Sequence, residues 1–387
     1  MVQNQKRIAY LDGIRGIAAI MVFFYHYLLA FFPALFILKP EYCHTQSNIE
    51  LVIASSPLSI FYSGGFAVCI FFVLSGYVLS HKFFLKGDYE YLASASIKRY
   101  FRLSIPIVVS VLISLVILTF NGYSNIDVAY DYTECKFWLA NLWDVKPSLF
   151  EALKEGIFTS LFVGKGMKYN EVLWTMNIEF MGSLLVFTIL ALIGKIKRRF
   201  FLYAVLILIF YKGFMVAFIM GVALADYYTF PKRKYLNRYL LLALLIPMIY
   251  LGSYQRLEGD NLWRPVNFLS GINSIYPYLI ATFILMIFIL NIAQIKNALS
   301  HKIFNFFGKI SFSLYLLHVL ILGSLSCALF RIFYKEMDMS YIVSFFLMFI
   351  ISFVVTLVLS YIMYVFIDSN AIKFSNYFYR RFFRDSV

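Results

Sequence analysis

Apolar residues arrive in long runs, several of about 18–25 positions, broken by short polar and basic clusters. A hydrocarbon core of roughly 30 Å needs about 20 apolar residues in a helix, so the runs read as membrane spans. The pattern predicts an all-α polytopic transmembrane helix bundle of about ten spans. These fall at 14–38, 61–80, 103–120, 173–193, 200–211, 213–230, 239–252, 272–292, 308–333 and 341–367, the fifth and seventh being short. No repeat of 20–50 residues and no low-complexity linker divides the chain. One transmembrane domain is expected over residues 1–370, followed by a short basic tail at 371–387, with no appended soluble esterase-like domain.

Composition agrees with this reading. The chain of 387 residues is 62% hydrophobic and 14% charged, more apolar side chain than a soluble core could hide. Its net charge of +14 is best explained by topology. Basic residues such as Lys6, Arg7, Lys82, Lys86, Lys98, Lys195, Lys232, Arg233, Lys234, Arg380 and Arg381 flank alternate span ends, which predicts both termini in the cytoplasm. They form no continuous basic domain, so nucleic acid is not an expected partner; the lipid bilayer is. Such an orientation implies a multi-pass protein of the inner (cytoplasmic) membrane, with no cleavable signal peptide. The four cysteines lack metal-ligand spacing, and no metal is expected. Cys43 and Cys135 both fall in expected outer loops, which leaves a disulfide between them open. The longest polar segment, 121–172, is read as outside; its Trp138 and Trp143 suit either the membrane interface or sugar faces.

Several spans carry ionisable groups, which are costly in hydrocarbon and usually face the bundle interior. In DGIRGIAAIMVFFYHY, Arg15 and His26 are eleven residues apart, about three helical turns, so they share a face some 16 Å apart along the axis. Arg15 suits an interfacial anchor or an anion site at the cytoplasmic mouth; His26 suits an interhelical hydrogen bond or a base. In LWTMNIEFMGSLL, Glu179 lies about six residues from the outer end of its span. The expected spans bring it near the depth of His26, either as that histidine's partner or within a buried ion pair. Ser311, Tyr315 and His318 are spaced by four and three and form a polar stripe on one helix face. Arg99 and Arg102, at i and i+3, suit either forked phosphate contacts or simple flanking of a span. Ser75 and Gly76 permit close approach of a helix or ligand near the same inner side.

An arginine-rich mouth with a deeper histidine suits an anionic donor with a long arm, as acyl-coenzyme A has. A transporter of a sugar, lipid or anion with a His/Glu proton relay is the alternative. Repeated halves with broken helices, the usual transporter signature, are not apparent.

At these residues the chain resembles the membrane acyltransferase-3 family over nearly its whole length. YLDGIRGIAAIMVFFYHY, FFVLSGYVLS, KRYFR, LWTMNIE and ISFSLYLLH are similar to five family motifs, in the family's order. The form LWTMNIEFMGSLLVF looks closest to bacterial and phage O-antigen acetylases. The resemblance implies transfer of an acetyl group from cytoplasmic acetyl-CoA to a hydroxyl of a surface carbohydrate or lipid-linked glycan, such as O-antigen of lipopolysaccharide. It implies His26 as catalytic base or acyl carrier, with Glu179 and His318 as further catalytic candidates. Arg15, Arg99 and Arg102, helped by Ser75 and Gly76, would bind the donor, and Asp12, Trp174, Ser311 and Tyr315 would support them. The chain departs from the family at Asp368, Ser369 and Asn370, where Glu-x-Pro is usual, and at Phe312, where an aromatic hydroxyl is usual.

Overall fold

The computed structural model describes residues 8–45, 47–230, 235–256 and 261–384. Lys6, Arg7, Lys232, Arg233 and Lys234, which entered the charge argument, lie outside the described residues, as does the end of the expected tail, 385–387.

Among the described residues the fold is helical without strands. The helices that carry the argument are α1 (Ala9–Phe31), α2 (Gly64–Lys86), α3 (Tyr89–Thr119), α4 (149–163), α5 (Glu171–Ile193), α6 (Arg199–Ile209), α7 (Met215–Thr229), α8 (Arg238–Gly252), α9 (Tyr276–Asn291), α10 (Lys302–Glu336) and α11 (Tyr341–Phe383). Six of them, α1, α2, α3, α5, α10 and α11, are long and apolar enough to cross a membrane. A seventh arises if α9 is joined to Arg264–Ile272, from which it is bent by 99°. Helices α6, α7 and α8 are shorter apolar segments at three of the expected spans.

One expected boundary changes, and two expected segments gain a definite structure. The first span was read to residue 38, but α1 stops at Phe31. Pro33 is the cause: it disfavours helical geometry in the residue before it, and Phe32 sits at φ −135°, ψ 63°. Part of the polar segment 121–172 packs on the bundle. Helix α4 runs alongside α3, where the Tyr100 hydroxyl donates to the Ile157 carbonyl at 3.1 Å. It also meets α5, where Asn177 donates to the Leu161 carbonyl at 2.8 Å. Gly164 and Gly166, both at φ +72°, then reverse the chain, a backbone conformation that glycine adopts without strain. Finally, the expected tail from residue 371 is helical to Arg384. There Phe374 and Phe378 pack on Phe101 of α3, with ring centroids 5.6 and 4.5 Å apart. All four cysteines are free, so Cys43 and Cys135 are not bridged.

Small residues set the helix crossings, as expected where helices must associate inside lipid. A Cβ added to Gly308 of α10 would lie 2.1 Å from the Asp12 carbonyl oxygen of α1. One added to Gly16 would lie 2.7 Å from the Gly308 nitrogen, so α1 and α10 touch backbone to backbone. The two helices run parallel, because further along Tyr27 and Ser326 share a hydrogen bond of 2.9 Å. Helix α11 presents Ser344, Ser352, Thr356 and Ser360 to the interior, while Phe346, Ile350, Val354 and Val358 are exposed on its other side. That is the division of a span between bundle and lipid.

Candidate active site

The α1–α10 crossing decides what His26 meets. Gly16 and Gly308 touch, and ten residues beyond each, about 15 Å along parallel helices, stand His26 and His318. His318 Nε2 lies 3.0 Å from His26 Nδ1. His318 is fully buried, whereas His26 is only half-buried, so the pair opens on the His26 side.

The backbone settles the tautomers of the neutral pair. His318 Nδ1 lies 3.1 Å from the Leu314 carbonyl oxygen, which can only accept, so this nitrogen carries the proton. His318 Nε2 is therefore an acceptor, and His26 Nδ1 must donate to it, sharing its proton with the Val22 carbonyl at 3.0 Å. The lone pair of His26 is thereby left on Nε2.

Glu179 does not partner His26. It binds Arg99 in a part-buried ion pair and accepts from the Ser75 hydroxyl at 2.6 Å. Arg99 Nε also donates to the Ser183 hydroxyl at 2.8 Å. The mismatch with the expected depth follows from the early end of α1, which puts His26 five residues from the close of its helix. Tyr25, beside it, packs on Gly64 at the start of α2, and Ser75 lies eleven residues, about 16 Å, further down that helix. The ion pair thus sits well below the histidines.

The other expected residues take plainer positions. Arg15 pairs with Asp12 at 3.2 Å and remains about a third exposed; Arg102 is exposed. Gly76 is not open to a ligand, because a Cβ there would meet the Phe218 carbonyl oxygen of α7 at 2.2 Å. Ser311 bonds within its own helix, to the Gly308 carbonyl at 2.9 Å. Tyr315 joins α10 to α5 through the Thr175 hydroxyl at 2.8 Å and the Val172 carbonyl at 3.0 Å. Trp174 is exposed and packs toward Phe214 at 5.8 Å, away from the histidines.

Two residues that sequence reasoning left in a loop lie at the site instead. The Trp138 ring is 5.4 Å from that of His26, and its Nε1 donates to Glu171 at 2.8 Å. The presence of tryptophan and carboxylate in the longest polar segment was the available signal, but nothing in their spacing ties them to α1. Glu155 fastens this segment by accepting from the backbone N–H groups of Lys168, Tyr169 and Asn170 at 2.7–3.2 Å. Asn170 in turn donates to the Leu316 carbonyl at 2.9 Å, two residues from His318.

Apolar helices thus enclose two hydrogen-bonded imidazoles, and the comparisons say what kind of protein holds them. The profile of a family described as an acyltransferase domain matches residues 8–365. The chain belongs to this acyltransferase-3 family and is an acyltransferase, which decides between the enzyme and transporter readings. An O-acetyltransferase from Phomopsis amygdali, PaAT-1, is 24% identical over 435 aligned positions, covering 97% of this chain and 85% of the relative. No solved structure matches the chain.

Proposed function

We propose that the protein moves an acetyl group from cytoplasmic acetyl-CoA to a hydroxyl of a surface carbohydrate, O-antigen or another lipid-linked glycan, across the inner membrane. Both termini then face the cytoplasm, as the charge pattern favours. The observation that carries this reading is the His26–His318 pair, which leaves a half-buried imidazole with its lone pair outward. The acetyl group is supported by the relative named as an O-acetyltransferase.

His26 Nε2 takes the proton of the acceptor hydroxyl as its oxygen attacks the thioester carbonyl carbon. The carbon–sulfur bond then breaks, and the proton passes from His26 to the departing thiolate. His318 keeps His26 in the productive tautomer and accepts from its Nδ1–H while the ring is charged. Arg15, about 16 Å from His26 along one helix face, and the exposed Arg102 hold the donor's phosphates at the cytoplasmic mouth in this reading. Arg99 serves instead to neutralise Glu179 below the site.

Expression in a host with a suitable surface polysaccharide tests this. The wild type should add the acetyl mass increment to the glycan, and His26→Ala should abolish it at equal protein level. Retained acetylation in that variant overturns the role of His26.

A further inference from the structure

We infer that the pocket between residues 137–144 and 167–171 is the subsite for one sugar ring of the acceptor, latched shut by Trp138. This rests on the acyl-transfer reading above.

The pocket has a volume of about 250 Å³. At about 30 Å³ per water that is roughly eight waters, room for a single monosaccharide unit and not for a nucleotide-bearing donor. Its lining combines two indoles, Trp138 and Trp143, with Asn141, Asp144, Lys168 and Glu171. A pyranose offers the same two faces in reverse. Its apolar C–H face matches an aromatic ring, and its hydroxyls, each donor and acceptor, match carboxylate, amide and ammonium groups.

The two indoles differ in how they are held. Trp143 is buried, donates to the Tyr169 carbonyl at 3.0 Å and stacks on Tyr123 at 3.8 Å. It forms a fixed wall. Trp138 is half-buried and hangs on its hydrogen bond to Glu171, with its ring between the pocket and His26. A sugar hydroxyl that donates to Glu171 takes the place of the indole N–H, which frees the ring to swing aside. The hydroxyl to be acetylated then faces His26 Nε2, and until that point the latched indole separates the pocket from the same nitrogen.

The full chain in nanodiscs serves for the test, with methyl glucoside, galactoside, rhamnoside and N-acetylglucosaminide as probes. At least one should quench tryptophan emission saturably and compete with polysaccharide in the transfer assay. Asp144→Asn should raise the acceptor KM tenfold or more, and Trp138→Ala, which removes the latch, should lower it, while the acetyl-CoA KM stays at the wild-type value in both. Asp144 is exposed, so its substitution does not threaten folding. An unmoved acceptor KM in both variants, or no quenching by any glycoside, overturns the subsite. A wild type that binds glycosides and transfers no acetyl group overturns the acetyl-transfer proposal instead.

Discussion

His318 is the residue whose removal separates orientation from chemistry. It touches His26 Nδ1 and is sealed from solvent, so it acts through its neighbour and is a positioning residue. His318→Ala should lower kcat by about 10²–10⁴-fold, the usual worth of general acid–base catalysis, with both KM values little changed. His318→Gln, whose amide oxygen can accept from Nδ1–H, should recover part of the rate; equal losses in the two variants would argue against the tautomer role. Both histidines were legible in the sequence as costly polar groups within spans. Their pairing was not, because it depends on the helix crossing rather than on the depth of either residue, and depth alone favoured Glu179. A third histidine reports on the loops. Burial holds His44 below the ordinary imidazole value, against the pull of the Thr133 carbonyl, Glu50 and Glu134, and its ring stacks on Tyr341 at 4.1 Å. The folded state therefore disfavours the charged ring, and the unfolded chain binds more protons below its pKa of about 6.5. Thermal stability should fall as pH drops from about 6.5, and His44→Phe should flatten that slope; an identical slope in the variant would remove His44 as its cause.

At the scale of helices, the crossing of α1 and α10 is the element on which the site depends. Gly308→Val would thrust carbon into the Asp12 carbonyl, where a first Cβ already has only 2.1 Å. Overpacking of this kind costs about 1–3 kcal/mol, but the loss of transfer should exceed what the lowered melting temperature explains, since the histidines part as the helices do. Wild-type activity in a folded Gly308→Val protein would show that the pair tolerates separation. The glycines of DGIRG were visible in the sequence, yet only the partner backbone shows what they are for. The return of α4 along α3 could not be read either. Its apolar side, with Phe150, Phe158 and Phe162 exposed, is too short for a span and resembles an interfacial segment in any linear scan.

For the whole molecule, the sequence sufficed for class: the length of the apolar runs and their basic flanks leave a helical membrane bundle. Its interior balance of charge needed coordinates. Arg99 and Glu179 come from α3 and α5, with Ser75 of α2 on the same carboxylate, so one ion pair ties three helices. Glu179→Gln should strand the Arg99 charge at a cost of about 3–5 kcal/mol, whereas Arg99→Met with Glu179→Leu should restore most of the stability. Thermal unfolding in detergent reads both; a single variant as stable as wild type would mean that the pair is water-screened.

The meeting of His26 with His318 also has a consequence in time. The two lie 292 positions apart, His26 on α1 and His318 on α10. A nascent or prematurely ended chain that lacks α10 holds half of the pair and exposes the glycine face of α1, so it has no means to begin acyl transfer before α10 is made and docks on α1.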